Sequence, residues 1–151
     1  MELLIIFFGL IIDRITKVWA LNKLSKIDEI VIIKNFFSFS YLENRGAAFG
    51  ILQNKLIFLS AITITVVTFM IIYLFKYKPK SVFLRISFSL IISGAVGNLI
   101  DRIWYRYVVD FIYWHYKNSY SFPTFNVADI MVVTGTFLMA LYILKEEKQG
   151  Q

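Results

Sequence analysis

The chain has 151 residues, a size typical of one domain, and 58% of them are hydrophobic while only 17% are charged. Soluble globular domains are about 45–50% apolar, so this composition, with a mean hydropathy of +0.67, indicates a membrane protein. The net charge is +6, but the basic residues do not form the cluster with interleaved aromatic residues that a nucleic-acid surface would show. The absence of cysteine excludes a thiol nucleophile, a thiolate metal site and disulfides.

Four apolar runs come close to the ~20 residues that a helix needs to cross a bilayer. They lie at about residues 3–21, 56–75, 82–103 and 127–144. We predict a helix in each, because an open chain in lipid must satisfy its backbone hydrogen bonds internally. Charged residues interrupt the first run and no clear cleavage site follows it, so we interpret it as a retained helix and not as a secretory leader.

The distribution of basic residues predicts the orientation. Lys76, Lys78 and Lys80 lie in the short link between the second and third runs, which contains no acid. The positive-inside rule then places this link and both termini in the cytoplasm, and residues 22–55 and 104–126 outside. The outer segments also contain Lys and Arg, so the bias is partial.

The two outer segments differ in pattern. Alternating residues at 37–41 and β-prone residues before them predict a small sheet on the membrane surface. The second segment is rich in aromatic residues, which favour the headgroup level. The predicted fold is therefore an all-α membrane protein with four transmembrane helices, a small extracytoplasmic sheet and an aromatic-rich outer loop, and residues 1–151 form a single integral membrane domain.

Two aspartates have apolar neighbours on both sides: Asp110 in VVDFI and Asp129 in NVADIMVV. A buried, unpaired carboxylate costs several kcal/mol or shifts its pKa. Both lie at the outer ends of predicted helices and can therefore meet. Two carboxylates that share a site do not both ionise easily, so one can serve as an acid while the other serves as a base toward water, which is aspartic peptidase chemistry.

A purely structural interpretation of the same two residues stays open. Asn126 is a plausible helix N-cap, and Asp129 three residues later completes a variant of the capping box. Asp110 can instead form an isolated salt bridge with Arg102 or Arg106.

Further polar residues fall within the predicted helices. One face of the third helix carries a polar stripe, formed by Gly94, Asn98, Asp101 and Arg102. Asp101 can pair with its neighbour Arg102 or, across helices, with Lys17, while Asp13 and Lys17 are four residues apart and can neutralise each other. Charge inside a span indicates a functional site, although an ion pair that only orients the bundle fits equally well.

Other catalytic classes find little support. The one histidine, His115, lies in the aromatic outer segment, and neither HExxH nor GxSxG occurs. A Ser–His pair would have to use His115, which we interpret as an interfacial aromatic residue with a polar tip. No metal or organic cofactor is expected.

Five blocks of sequence resemble the lipoprotein signal peptidases, also called signal peptidase II. In chain order they are DRITK at 13–17, NRGAAFG at 44–50, GNLIDR at 97–102, VVDFI at 108–112 and FNVAD at 125–129. Each block alone is unspecific, but the five occur in the family's order, and the resemblance covers essentially the whole chain.

The resemblance implies an aspartic endopeptidase of the bacterial cytoplasmic (inner) membrane, with its active site near the outer face. The substrate that it implies is a prolipoprotein signal peptide with a diacylglyceryl-cysteine. Cleavage falls just before that cysteine, and membrane lipid is the other expected partner. The family's dyad maps onto Asp110 and Asp129. Its supporting residues map onto Asp13, Lys17, Asn44, Asn98, Asp101, Arg102 and Asn126. Nothing in the sequence requires more than a monomer.

Two other classes of function remain. In a small transporter or channel subunit, the intramembrane charges would form an ion path. In an assembly subunit without chemistry, Asp110 and Asp129 would be replaceable by asparagine at no cost beyond stability. The polar residues gather at one end of the predicted bundle, which favours a site over a path.

Overall fold

The computed structural model describes residues 1–46, 52–117 and 119–149. Its four helices are α1 (Glu2–Lys23), α2 (Leu56–Ile72), α3 (Val82–Tyr105) and α4 (Val127–Gln149). Helix α2 continues into a π-helical turn, Tyr73–Tyr77. All four helices coincide with the predicted runs, with ends that differ by a few residues.

Three of these helices are long and apolar enough to cross a membrane within the described part of the chain: Leu56–Tyr77, Val82–Tyr105 and Val127–Glu147. Helix α1 does not belong to this set, since charged residues lie in its centre. Two of them, Asp13 and Lys17, are buried inside the protein at 2% and 0% exposure. The charges that interrupt the apolar run of α1 therefore face the bundle.

Helix α3 lies at the centre of the bundle and packs against α1, α2 and α4. In the most apolar 18-residue stretch of each helix, 50% of α3 is buried inside the protein, compared with 11% of α2 and 11% of α4. Two glycines permit its close approach to neighbours: a Cβ on Gly94 would collide with the carbonyl oxygen of Ala128, and one on Gly97 would lie 2.6 Å from Asp13 Oδ2. The polar residues of α1, α3 and α4 are thereby brought together.

An antiparallel sheet covers one end of the bundle. Its strands are β1 (Ile30–Ile33), β2 (Phe37–Asn44), β3 (Val108–Tyr116) and β4 (Tyr120–Ser121), in the order β1-β2-β3-β4. The predicted small sheet is confirmed, but the prediction of residues 104–126 as a loop is wrong, because they contain an inner strand, β3. The first five residues of β3 are all buried and so lack the period of two that identifies a half-buried strand.

The sheet packs on the last turns of α1. Trp19 of α1 makes edge-to-face contacts with Phe39 of β2 and Phe111 of β3, with ring centroids 5.3 and 6.1 Å apart. Ala20 and Val109 are fully buried in the same cluster. This contact fixes the start of β3, and with it Asp110, against the helical bundle.

Candidate active site

Asp110 lies on β3 and is only 1% exposed. Its Oδ2 accepts a hydrogen bond of 2.9 Å from Asn44 Nδ2, and its Oδ1 accepts one of 2.6 Å from Asn126 Nδ2. The alternative salt bridge to Arg102 or Arg106 is absent from the described residues. Burial, reinforced by the charge of Asp129, raises the pKa of Asp110 to about 7, while the two amide hydrogen bonds oppose this rise.

Asp129 lies in the first turn of α4 and forms the predicted capping box with Asn126. Asn126 Oδ1 accepts from the backbone N–H of Asp129 at 2.9 Å, and Asp129 Oδ2 accepts from the backbone N–H of Asn126 at 3.1 Å. The other oxygen, Oδ1, accepts from Asn98 Nδ2 at 2.8 Å. The cap therefore also fixes the orientation of this carboxylate.

Asn126 joins the two aspartates. It is fully buried, and its side-chain nitrogen contacts Asp110 while its backbone and side-chain oxygen hold Asp129. The same nitrogen also donates to Asn98 Oδ1 at 3.2 Å, so both of its N–H groups are used. Asp129 is slightly more exposed than Asp110, since its burial is intermediate whereas Asp110 is buried.

Lys17 is the centre of a second polar cluster. Its ammonium lies 3.0 Å from Asp13 Oδ2 and 3.0 Å from Asp101 Oδ2, and donates to Asn98 Oδ1 at 2.8 Å. All three ammonium hydrogens thus have acceptors. Both predicted pairs of Lys17 are confirmed, whereas Asp101 finds its second cation in Arg14 Nη1, at 3.2 Å, and not in Arg102.

The carboxylates of this cluster also hold the backbone beside the two aspartates. Asp13 Oδ1 accepts from the N–H of Ala128 at 3.0 Å, and Asp101 Oδ2 accepts from the N–H of Val109 at 3.1 Å. Each of these amides immediately precedes one of the paired aspartates, so Lys17 indirectly fixes the position of β3 relative to α4. Sequence reasoning missed these contacts, since they involve backbone amides, which leave no trace in a side-chain pattern.

Arg14 is a further residue that the sequence analysis did not select. Besides Asp101 it contacts the hydroxyl of Tyr105, and its guanidinium lies 5.5 Å from the ring centre of Trp104 and 5.2 Å from that of Tyr105. Its position within the DRITK block is the sequence feature that could have identified it. The residue joins the middle of α1 to the end of α3.

The remaining selected residues lie around the pair or beneath it. Arg102 Nη2 donates to the carbonyl oxygen of Gly46 at 3.3 Å, and its buried Nε has no hydrogen-bond partner among the described residues. Gly94 packs under Ala128 and acts in helix packing. Asn44 Oδ1 accepts from the N–H of Gly46, at 2.9 Å. The rest of that sequence block, 47–50, lies outside the described residues.

His115 lies apart from the two aspartates. Its ring stacks on Tyr113 with a centroid distance of 4.9 Å, and it lines a cavity beside the sheet with Glu29. No described serine forms a hydrogen bond with it. The described residues also contain no group of three or more His, Cys, Asp or Glu side chains able to hold a metal ion.

Two adjoining carboxylates at one end of an apolar helical bundle, oriented by amides, form the kind of site that a membrane-bound peptidase uses for acid–base chemistry. A family model described as "Signal peptidase (SPase) II" matches residues 5–145. The chain belongs to this family of proteases.

Individual relatives agree with this assignment. The chain is 61% identical over 148 residues to the lipoprotein signal peptidase of Clostridium novyi (strain NT), covering 98% of this chain and 100% of that one. It is 58% identical to that of Clostridium tetani over 97% of this chain and 94% of the relative. A solved bacterial membrane enzyme superposes with a TM-score of 0.88 at 33% identity, covering 99% of this chain and 91% of that one.

Proposed function

We propose that this protein removes signal peptides from diacylglyceryl-modified prolipoproteins by cleaving just before the lipidated cysteine, with Asp110 and Asp129 as the catalytic dyad. Family membership supports the reaction. The observation that carries the assignment of the dyad is the bridging by Asn126, which holds both carboxylates from a single buried residue.

The raised pKa of Asp110 supports a dyad that holds one proton near neutral pH. The ionised carboxylate takes a proton from water, and the resulting hydroxide attacks the scissile carbonyl carbon. The protonated carboxyl group donates a hydrogen bond to the carbonyl oxygen as negative charge develops there. The C–N bond then breaks, and the departing amine of the cysteine receives a proton from the dyad. Because the two groups are coupled, the proton belongs to the pair.

The supporting residues act by position. Asn44 and Asn126 orient Asp110, while Asn98 and the capping box orient Asp129. The cluster formed by Lys17, Asp13 and Asp101 fixes the backbone on either side, as described above. Arg102 lies beside the dyad and contacts the segment that follows Asn44.

The same contacts support four membrane spans. The central charges of α1 lower its apolarity, but Asp13 and Lys17 are buried against α3 and not exposed to lipid. Such a helix crosses a bilayer without placing these two charges in hydrocarbon. With α1 included, both termini and the lysine-rich link are cytoplasmic, and the dyad lies near the outer face of the cytoplasmic membrane, where a signal peptide's cleavage site emerges.

Purified protein in detergent or lipid, mixed with a diacylglyceryl-modified prolipoprotein, tests the proposal. Release of the signal peptide is followed by the mass shift on a gel, with the unlipidated precursor as a substrate control. Asp110→Asn and Asp129→Asn are expected to abolish cleavage, whereas the exposed outer residue Asp28→Asn retains it. Cleavage that survives in both dyad variants would refute the aspartic mechanism, and no cleavage by folded wild type would refute the assigned activity.

A further inference from the structure

A cavity of about 280 Å³ lies at the end of the bundle opposite the dyad. It is formed where the start of α1, the π-helical turn after α2 and the start of α3 meet. Its lining residues are Glu2, Leu74, Phe75, Lys78, Pro79 and Arg85. One water needs ~10–15 Å³ of such space, so the cavity has room for several waters and thus for a phosphate group.

The charged side of the cavity has unused hydrogen-bond donors. Arg85 pairs with Glu2 through Nε, and its two terminal amino groups have no hydrogen bond to any described residue. Lys78, which is exposed, takes a left-handed backbone conformation with φ of 47° at the end of the π-helical turn. Donors from two different elements thus meet at one cavity.

Positive charge exceeds negative charge at this end. Lys76 and Lys80 flank Lys78, while Glu2 is the one acid of the lining and is already paired with Arg85 and with the N-terminal amine. An arginine binds phosphate oxygens through paired N–H groups, and a lysine adds a point charge. The site therefore favours an anion.

The other side of the cavity is apolar. Leu74 is 4% exposed, whereas Phe75, in the same π-helical turn, is 39% exposed. A free phosphate ion gains nothing from such a wall, whereas the acyl chains of a lipid pack against it. Basic cavities between transmembrane helices commonly hold lipid head groups.

We propose that this cavity binds the phosphate group of an anionic glycerophospholipid, of which phosphatidylglycerol is the probe, from the leaflet opposite the dyad. Helix α2 is little buried and packs mainly on α3. A lipid held between the π-helical turn and the starts of α1 and α3 joins α2 to the rest of the bundle. Binding of this lipid therefore stabilises the protein independently of proteolysis.

Thermal unfolding in detergent, with phosphatidylglycerol, phosphatidylcholine or inorganic phosphate added, tests the proposal. Phosphatidylglycerol is expected to raise the Tm of wild type, and Lys78→Gln to require about fivefold more of it, because one lysine near a lipid surface contributes ~1 kcal/mol. Lys78→Arg keeps the response. The matched control is Lys145→Gln, an exposed lysine near the end of α4 that does not line the cavity.

Three outcomes would overturn it: an equal loss of response in both glutamine variants, an equal response to phosphatidylcholine, or the same stabilisation by inorganic phosphate alone. The first would show diffuse attraction, the second a general lipid effect and the third a free-anion site.

Discussion

Replacing Asp110 with asparagine is expected to abolish cleavage. It is also expected to make the protein increasingly stable, relative to wild type, as pH rises. The buried carboxyl has its pKa raised to about 7, while an aspartate in the unfolded chain titrates near its ordinary value of about 4. The folded state therefore binds this proton more tightly. The stability that this group contributes is fully present below pH ~4 and is lost as pH rises through ~7.

The size of the effect follows from the two pKa values. The shift costs wild type about 1.5 kcal/mol at pH 5 and about 4 kcal/mol at pH 8, relative to a residue that does not ionise. Asparagine avoids this cost, but its amide opposes one of the two amide donors, from Asn44 and Asn126, at a penalty of about 1–3 kcal/mol. This penalty does not depend on pH. Between pH 5 and pH 8, the free energy of unfolding of Asp110→Asn is therefore expected to rise by about 2–3 kcal/mol relative to that of wild type.

Thermal unfolding of both proteins in one detergent at the two pH values measures this shift. For a chain of this size it corresponds to about 5–10 °C in the difference between the two Tm values. Asp28→Asn, an exposed aspartate outside the site, serves as the control and is expected to give the same difference at both pH values. If the Tm difference between Asp110→Asn and wild type does not change with pH, then the Asp110 carboxyl does not bind its proton more tightly in the folded state, and the reasoning is refuted.

Three further predictions concern the surroundings of the dyad. Lys17→Met leaves two buried carboxylates without their shared cation and is expected to cost about 3–5 kcal/mol in thermal or denaturant unfolding, while Lys23→Met, at the exposed end of α1, changes little. Gly94→Ala gains up to ~1 kcal/mol of helix propensity, yet is expected to lower the Tm and the cleavage rate, because its Cβ meets the first turn of α4; an unchanged Tm would contradict this packing. Asn44→Ala removes a hydrogen bond that lowers the pKa of Asp110, so the pH–rate profile, which reports the two coupled carboxylates together, is expected to move to higher pH. A lower rate with an unmoved profile would assign Asn44 to substrate binding.

Most of the fold was predictable because its signals are local. Helices α2, α3 and α4 follow directly from the length and apolarity of their runs. The capping box of Asn126 and Asp129 was predictable for the same reason, since its partners are three residues apart. The sheet was predicted only in part, because β3 is buried on both faces where it carries Asp110, and a continuous apolar run does not identify a strand.

The contacts within the site depend on residues far apart in the chain. The pattern of α3 placed Asn98 and Asp101 on one face, but it did not indicate that Asn98 contacts both Lys17 and Asp129. Nor did it indicate that Asp101 holds the backbone of β3. Such contacts are set by the close packing of α3 on α1 and α4 at Gly94 and Gly97, which becomes visible only in three dimensions.

The buried cluster of α1 has a consequence for biosynthesis. Arg14 and Asp101 are 87 residues apart, so at 5–20 residues per second α1 waits about 4–17 s for its partners on α3 to be made. During that time Asp13 and Lys17, one turn apart, can neutralise each other within the same helix. Helix α1 thus carries its own counter-ion through insertion. The contact of Asp13 with the Ala128 amide needs α4, so the arrangement that we propose as catalytic forms only after the last helix has joined the bundle. We therefore expect a partly synthesised chain to be inactive.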